Sequence, residues 1–154
     1  MELQNQTKDV YAPYLSNDIM LLILKARKDI ERLASLNEDI TCGPGLAGYC
    51  GIISRYLIDL MELSGISGAS LCCGRFNKLT HCWVEYGGFC LDLSISQFLG
   101  FAKKKYKICR VGDCFYSTYY ENELDHRSAI EYQKTWGIQA YETYQDKLLK
   151  TFNS

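Results

Sequence analysis

The chain has 154 residues, 17 Lys+Arg against 18 Asp+Glu, a formal net charge of -1 and a hydrophobic content of 47%. Those values predict one domain, 1–154, with a core of ordinary size, and the lack of a basic excess excludes the electrostatic footprint of a nucleic-acid binder. The longest apolar run, Ile19 to Leu24, is too short to cross a bilayer, so no membrane partner is expected.

The start, Met1-Glu-Leu-Gln-Asn-Gln, lacks the basic and apolar regions of a signal peptide. The expected location is cytoplasmic, or that of an effector delivered without a cleaved signal peptide. Eight cysteines are present, including the adjacent pair Cys72-Cys73, with Cys82 and Cys90 among apolar residues. Without an export signal they read as small buried hydrophobes in a reducing compartment rather than as disulfides. No Cys-x-x-Cys pair occurs, which argues against zinc and against a thiol redox protein, and no metal or cofactor is expected.

In chain order, the polar residues up to Tyr11-Ala-Pro-Tyr14 read as an extended lead-in. Ser16 or Asn17 is placed to cap an amphipathic helix running to about Ser35, with Leu21, Leu22, Leu24, Ile30 and Leu33 as apolar positions and Lys25, Arg27, Lys28 and Asp29 as charged ones. Residues 37–45 form a loop. Within it Cys42-Gly-Pro44-Gly is one place for a nucleophilic thiol, but Pro44 flanked by glycines predicts a turn.

The second place is Cys50. Ile52, Ile53, Tyr56, Leu57, Leu60 and Met61 recur at helical spacing immediately after it, so Cys50 falls in the first turn of a helix that ends near Gly65. There the positive end of the helix dipole favours a thiolate, the nucleophilic form of cysteine. Gly48 and Gly51 leave room for a backbone or a substrate carbonyl to approach. Cys50 is therefore preferred to Cys42. Taken alone it reads more readily as a buried cysteine at a helix–loop contact; the histidine and aspartate below change that balance.

Residues 68–76 read as a strand, Asn77-Lys78 as a turn, and Thr80-His81-Cys82-Trp83-Val84-Glu85-Tyr86 as a second strand. Gly87-Gly88 joins it to Phe89-Cys90-Leu91-Asp92-Leu93 as a hairpin. A turn at Gly87-Gly88 pairs residues whose numbers sum to about 175, so Asp92 faces a position near residue 83. His81 is then a diagonal neighbour of Asp92 on the same face, roughly 7–8 Å away at the backbone. Trp83, two residues after His81, shares that face.

Ser94 to Leu99 reads as a turn or short helix, in which Gln97 and Phe98 either pack beneath the site or close the sheet edge. Lys103 to Lys105 is a solvated loop, Tyr106 to Val111 an alternating strand, and Cys114 to Tyr120 a further strand. Asp125 caps a last helix from about His126 to Leu149, and His126 is a surface residue at its start. Twelve tyrosines, many late in the chain, read first as packing and second as the lining of a groove. The fold class expected is α+β: N-terminal helices on a central antiparallel sheet, then a C-terminal helix.

Cys50-Gly-Ile-Ile-Ser at a helix start, His81-x-Trp83-Val-Glu, and Asp92-Leu-Ser-x-x-Gln97-Phe98 together resemble the transglutaminase-like branch of the papain-like cysteine enzymes, over roughly residues 48–98. The resemblance implies Cys50 as nucleophile, His81 as base and Asp92 as the residue that orients it. It implies acyl transfer on a protein, peptide or small amide, ending in hydrolysis, deamidation or transglutamination. Gly48, Tyr49 and Trp83 are the expected substrate-binding neighbours. Such enzymes often take a second oxyanion donor from an upstream Gln or Asn, and Asn37 is the upstream candidate. The rival expectation is a catalytically inactive binding module on the same scaffold.

Overall fold

A computed structural model describes residues 15–36, 49–76, 79–94, 106–111 and 141–151. Helix α1 spans Asn17–Leu36. Its start is set by Ser16, whose Oγ accepts from the backbone N–H of Ile19 at 3.3 Å, and Asp18 complements the dipole in the first turn. Ile19, Ile23, Ala26, Ile30 and Leu33 form its buried stripe, at alternating steps of four and three.

Helix α2 spans Cys50–Leu63 and is buried nearly all round from Cys50 to Met61, as a helix placed between two other layers must be. It ends where the glycine predicts. Gly65 takes φ +80°, its N–H bonds to the carbonyl of Glu62 at 3.0 Å, and the N–H of Ile66 reaches back to Met61 at 2.8 Å. This double bond pattern around a left-handed residue closes the last carbonyls of the helix.

The sheet is a four-stranded antiparallel meander, β1 Ser70–Phe76, β2 Leu79–Tyr86, β3 Phe89–Asp92 and β4 Lys107–Arg110, in that order. Gly87 and Gly88 take φ +59° and +85°, the signs that a two-residue hairpin turn requires. The register of β2 on β3 is Val84↔Leu91, Glu85↔Cys90 and Tyr86↔Phe89, so paired numbers sum to 175 as the turn predicts. The β1–β2 pairing places Phe76 opposite Leu79 across the expected turn at 77–78.

Helix α2 packs on β2 and β1, and α1 packs on α2. The core joins the α1 and α2 stripes to Leu71, Cys82, Val84, Leu91, Leu93 and Ile108 of the sheet. Strand alternation puts His81 and Trp83 on the opposite face from Cys82 and Val84. Residues 141–146 are helical, Lys147–Thr151 continue as a wider π-helical turn, and Tyr141 and Leu148 enter the core. The Tyr141 hydroxyl donates to Asp59 of α2 at 2.6 Å, and Gln145 adds a second bond to the same oxygen at 3.0 Å. Burial, and after it the hydrogen bond and charge of Asp59, push the Tyr141 phenol well above its ordinary value.

The architecture is thus α+β, with helices before and after an antiparallel sheet. Two charged residues expected among the polar positions of α1 lie inside instead. Arg27 and Asp29 are buried, Arg27 bonded to Glu31 and to the Leu93 carbonyl, Asp29 to Lys25 and to the Tyr56 hydroxyl. Each has a charged partner one turn away on α1 and a polar partner from another element, which together offset the cost of leaving water. The strand expected at 114–120, the helix before residue 141, Lys103 to Lys105, Gln97, Phe98 and His126 lie outside the described residues. No helix of the described residues is long and apolar enough to cross a membrane.

Candidate active site

Cys50 is the first residue of α2, behind an N-cap, Tyr49, that makes no side-chain capping bond. The start of the helix is therefore not occupied by the usual Ser, Thr or Asp oxygen. The Ser54 hydroxyl donates to the Cys50 carbonyl at 2.6 Å, one turn along.

His81 lies on β2, and Asp92 is the last residue of β3. Asp92 Oδ2 is 2.6 Å from His81 Nε2, and both side chains are fully buried. The contact is the diagonal one that the 175 register demands. Asp92 Oδ1 accepts from the Ser94 backbone N–H at 2.9 Å and from the Ser94 hydroxyl at 3.3 Å. The carboxylate is thereby fixed at both oxygens. The Trp83 ring lies obliquely beside the imidazole, centroids 6.2 Å apart, and is itself fully buried.

The Cys50 thiol is held well below its ordinary pKa. The hydrogen bond from the Cys82 side chain contributes most, burial opposes it, and the hydrogen bond and charge of His81 and a hydrogen bond from the Cys82 backbone add to the lowering. His81 is pushed up to about 10: burial alone would lower it, but the charge and hydrogen bond of Asp92, then those of Cys50, outweigh that. Both directions favour the same arrangement, a proton on the imidazole and a negative charge on the sulfur. With Nε2 engaged by Asp92, Nδ1 is the ring nitrogen left for the sulfur.

Neighbouring strand residues point to opposite faces, yet Cys50 meets both His81 and Cys82. The β2–β3 ladder stops at Val84↔Leu91, so β2 runs on past it through the residues that meet Cys50. The sulfur accepts from the Cys82 backbone there, at the side of the strand that β3 has left. A short third strand is what lets a helix terminus reach the histidine strand edge-on.

The structure therefore brings together Cys50, His81 and Asp92, with Trp83 against the imidazole and Tyr49 adjacent. Tyr49 and Trp83 are fully buried, and Cys50 is only 3% exposed. Gly48, Cys42 and Asn37 lie outside the described residues. Among the described residues no cluster of three or more His, Cys, Asp or Glu is arranged to hold a metal.

No family model matches the chain, and no curated protein or solved structure matches it.

Two site residues escaped sequence reasoning. Ser94 carried a signal, since a hydroxyl two residues after an Asp commonly closes a local turn onto that carboxylate. Cys82 carried none, because alternation points it away from His81; its role depends on how α2 approaches the strand.

Proposed function

We propose that the chain is a cysteine-dependent acyl-transfer enzyme of the transglutaminase-like, papain-like kind, acting on a carboxamide or peptide bond through Cys50, His81 and Asp92. The observation that carries this reading is the buried His81–Asp92 contact of 2.6 Å beside a thiol held well below its ordinary pKa. Burial by itself disfavours charge on both sulfur and imidazole. A core that needed only packing would not surround a cysteine with donors and back the histidine with a carboxylate.

The chemistry follows from the charges. The Cys50 thiolate attacks the carbonyl carbon, a C–S bond forms, and the carbonyl oxygen takes the negative charge. The backbone N–H of Cys50, at the start of α2, is the donor placed to receive that oxyanion; such a donor is typically worth about 3 kcal/mol. His81 gives its Nδ1 proton to the departing nitrogen as the C–N bond breaks. The neutral imidazole then takes a proton from water or from an amine, which attacks the thioester and releases the thiolate. Water gives hydrolysis or deamidation; an amine gives transglutamination. Asp92 stabilises the imidazolium and fixes its tautomer throughout. Trp83 shields the ion pair from water. Tyr49, the residue before the nucleophile, is the neighbour placed to contact the acyl group.

One observation favours the second reading, an inactive binding module: Cys50 as a whole residue is buried, 3% exposed, which leaves its sulfur little room to meet a substrate. A single experiment separates the two. The protein is incubated with a panel of carboxamides, peptides and glutamine side-chain mimics, quenched in acid and digested for mass spectrometry. An acyl adduct on Cys50, absent in Cys50→Ala, is expected. No adduct from any of them, with Cys50 alkylated by iodoacetamide only near the free-thiol pKa of about 8.5, would leave the binding module as the reading.

A further inference from the structure

Arg27 is spent in an unusual place. Its residue is 7% exposed, although an arginine on a two-layer helix ordinarily extends its charge to water. Burying a guanidinium is costly unless its donors are met. Here Nε pairs with Glu31 one turn on, and Nη1 donates to the Leu93 carbonyl at 2.7 Å, across 66 residues of sequence.

Leu93 stands between Asp92 and Ser94, the two ends of the turn that grips the carboxylate. That turn begins where the β2–β3 ladder has already stopped, at Leu91, and where the last β4 pairing is Asp92↔Lys107. The register sets the face on which Asp92 lies. Three of its surroundings then hold the carboxylate and the turn: Ser94 on Oδ1, His81 on Oδ2, and Arg27 on the intervening carbonyl. Of these only Arg27 comes from outside the hairpin. A rigid fork on a helix can hold a peptide plane in place, and with it the χ angles that aim the carboxylate.

We propose that Arg27 is a positioning residue of the site: by clamping the Leu93 carbonyl it locks the Asp92–Leu93–Ser94 turn and keeps the Asp92 carboxylate aimed at His81. This rests on the reading of Cys50 and His81 as an ion pair. The charged and titratable groups around it are His81 and Cys82 from β2, Asp92 from β3, Lys107 opposite Asp92 on β4, and Arg27 with Glu31 from α1. Its bond to the Leu93 carbonyl is the contact through which it reaches Asp92.

The competing account is that Arg27 merely fastens α1 to the body of the protein. Tyr56 offers the control, because its hydroxyl fastens α1 to α2 through Asp29. The experiment measures iodoacetamide labelling of Cys50 against pH, together with thermal melting, in wild type, Arg27→Met, Arg27→Lys and Tyr56→Phe. Arg27→Met is expected to shift the labelling midpoint upward and to slow labelling near pH 6 on the order of ten-fold, the size of effect that sub-ångström misplacement produces. Arg27→Lys, which keeps one donor but loses the fork, is expected to fall between it and wild type. Tyr56→Phe is expected to melt earlier with its labelling profile unmoved. An Arg27→Met profile that overlays wild type while melting drops, or an Arg27→Lys profile unmoved where Arg27→Met does not fold, overturns the proposal. A wild-type profile centred at the free-thiol value overturns the ion-pair reading and this proposal with it, so the two failures are told apart by the wild-type curve alone.

Discussion

His81 Nε2 and Asp92 Oδ2 meet at 2.6 Å from strands that are adjacent but offset by two residues, inside a part of the protein closed to water. The offset matters. Extended by one residue, the 175 register sets Asp92 opposite Trp83, and the carboxylate reaches His81 along the diagonal. The contact pushes His81 up to about 10 against the pull of burial, and that in turn supports a thiolate at Cys50.

Asp92→Asn tests the contact directly. The amide keeps the shape of the carboxylate but not its charge, so the imidazolium loses its main support and the wrong tautomer is favoured. Turnover is expected to fall about 10³- to 10⁴-fold, as when the orienting aspartate of a catalytic triad is neutralised. Cys50 alkylation near neutral pH is expected to slow as well. Unchanged alkylation in a folded Asp92→Asn protein would show that the carboxylate plays no part.

The proton shared by Cys50 and His81 predicts a pH profile of stability. His81 has its folded pKa raised, so its contribution is complete below its unfolded value of 6.5 and is lost as pH rises toward about 10. Cys50 has its folded pKa lowered, so its contribution is complete above its unfolded value of 9.0 and is lost as pH falls below that. Between 6.5 and 9.0 the two slopes oppose one another, the histidine contribution falling as pH rises and the cysteine contribution growing. In Cys50→Ala only the histidine slope remains, with Asp92 as the support left to the imidazolium. Urea unfolding at a series of pH values is expected to show a shallower change from this pair in wild type than in the variant, which is expected to lose up to about 1.4 kcal/mol per pH unit there. A variant no steeper than wild type would mean that Asp92 does not keep His81 protonated without the thiolate.

Cys82 is the largest single influence lowering Cys50. Cys82→Ala removes the thiol donor while the backbone donor stays. The labelling midpoint of Cys50 is expected to rise, with Cys82→Ser, which restores a donor, lying nearer wild type. Thiolate ultraviolet absorbance followed against pH gives the same reading without a reagent. If Cys82→Ala labels as wild type does, the sulfur is stabilised by His81 and the residue 82 backbone without the thiol.

Tyr141 is one of the fastenings of the last helical segment, beside Gln145 on the same Asp59 oxygen and Leu148 in the core. Tyr141→Phe removes the hydroxyl that donates to Asp59 but keeps the ring against Tyr56, at a centroid distance of 6.5 Å. About 1 kcal/mol is expected for the hydrogen bond alone. Tyr141→Ala, which also empties a fully packed position, is expected to cost several times more, roughly 3–5 kcal/mol. Equal losses in the two variants, measured by denaturant titration, would assign the ring no packing role.

Local signals were enough for much of this. The helix start at Ser16, the stop at Gly65 and the Gly87-Gly88 turn all come from the conformational needs of single residues, and from that turn follow the 175 register and the diagonal placing of His81 and Asp92. Short-range chemistry is legible because it acts within a few residues of its cause. The burial of Arg27 and Asp29 was not legible, since a charged side chain is buried or exposed according to which partners arrive from distant segments. Nor was the part played by Cys82, which depends on α2 meeting β2 at the edge left open where β3 stops. Sequence determined which groups exist and on which elements they ride; only the packing of helix against strand end decided that a sulfur, an imidazole and a carboxylate would share one dry pocket, because that convergence depends on long-range burial and not on any local preference.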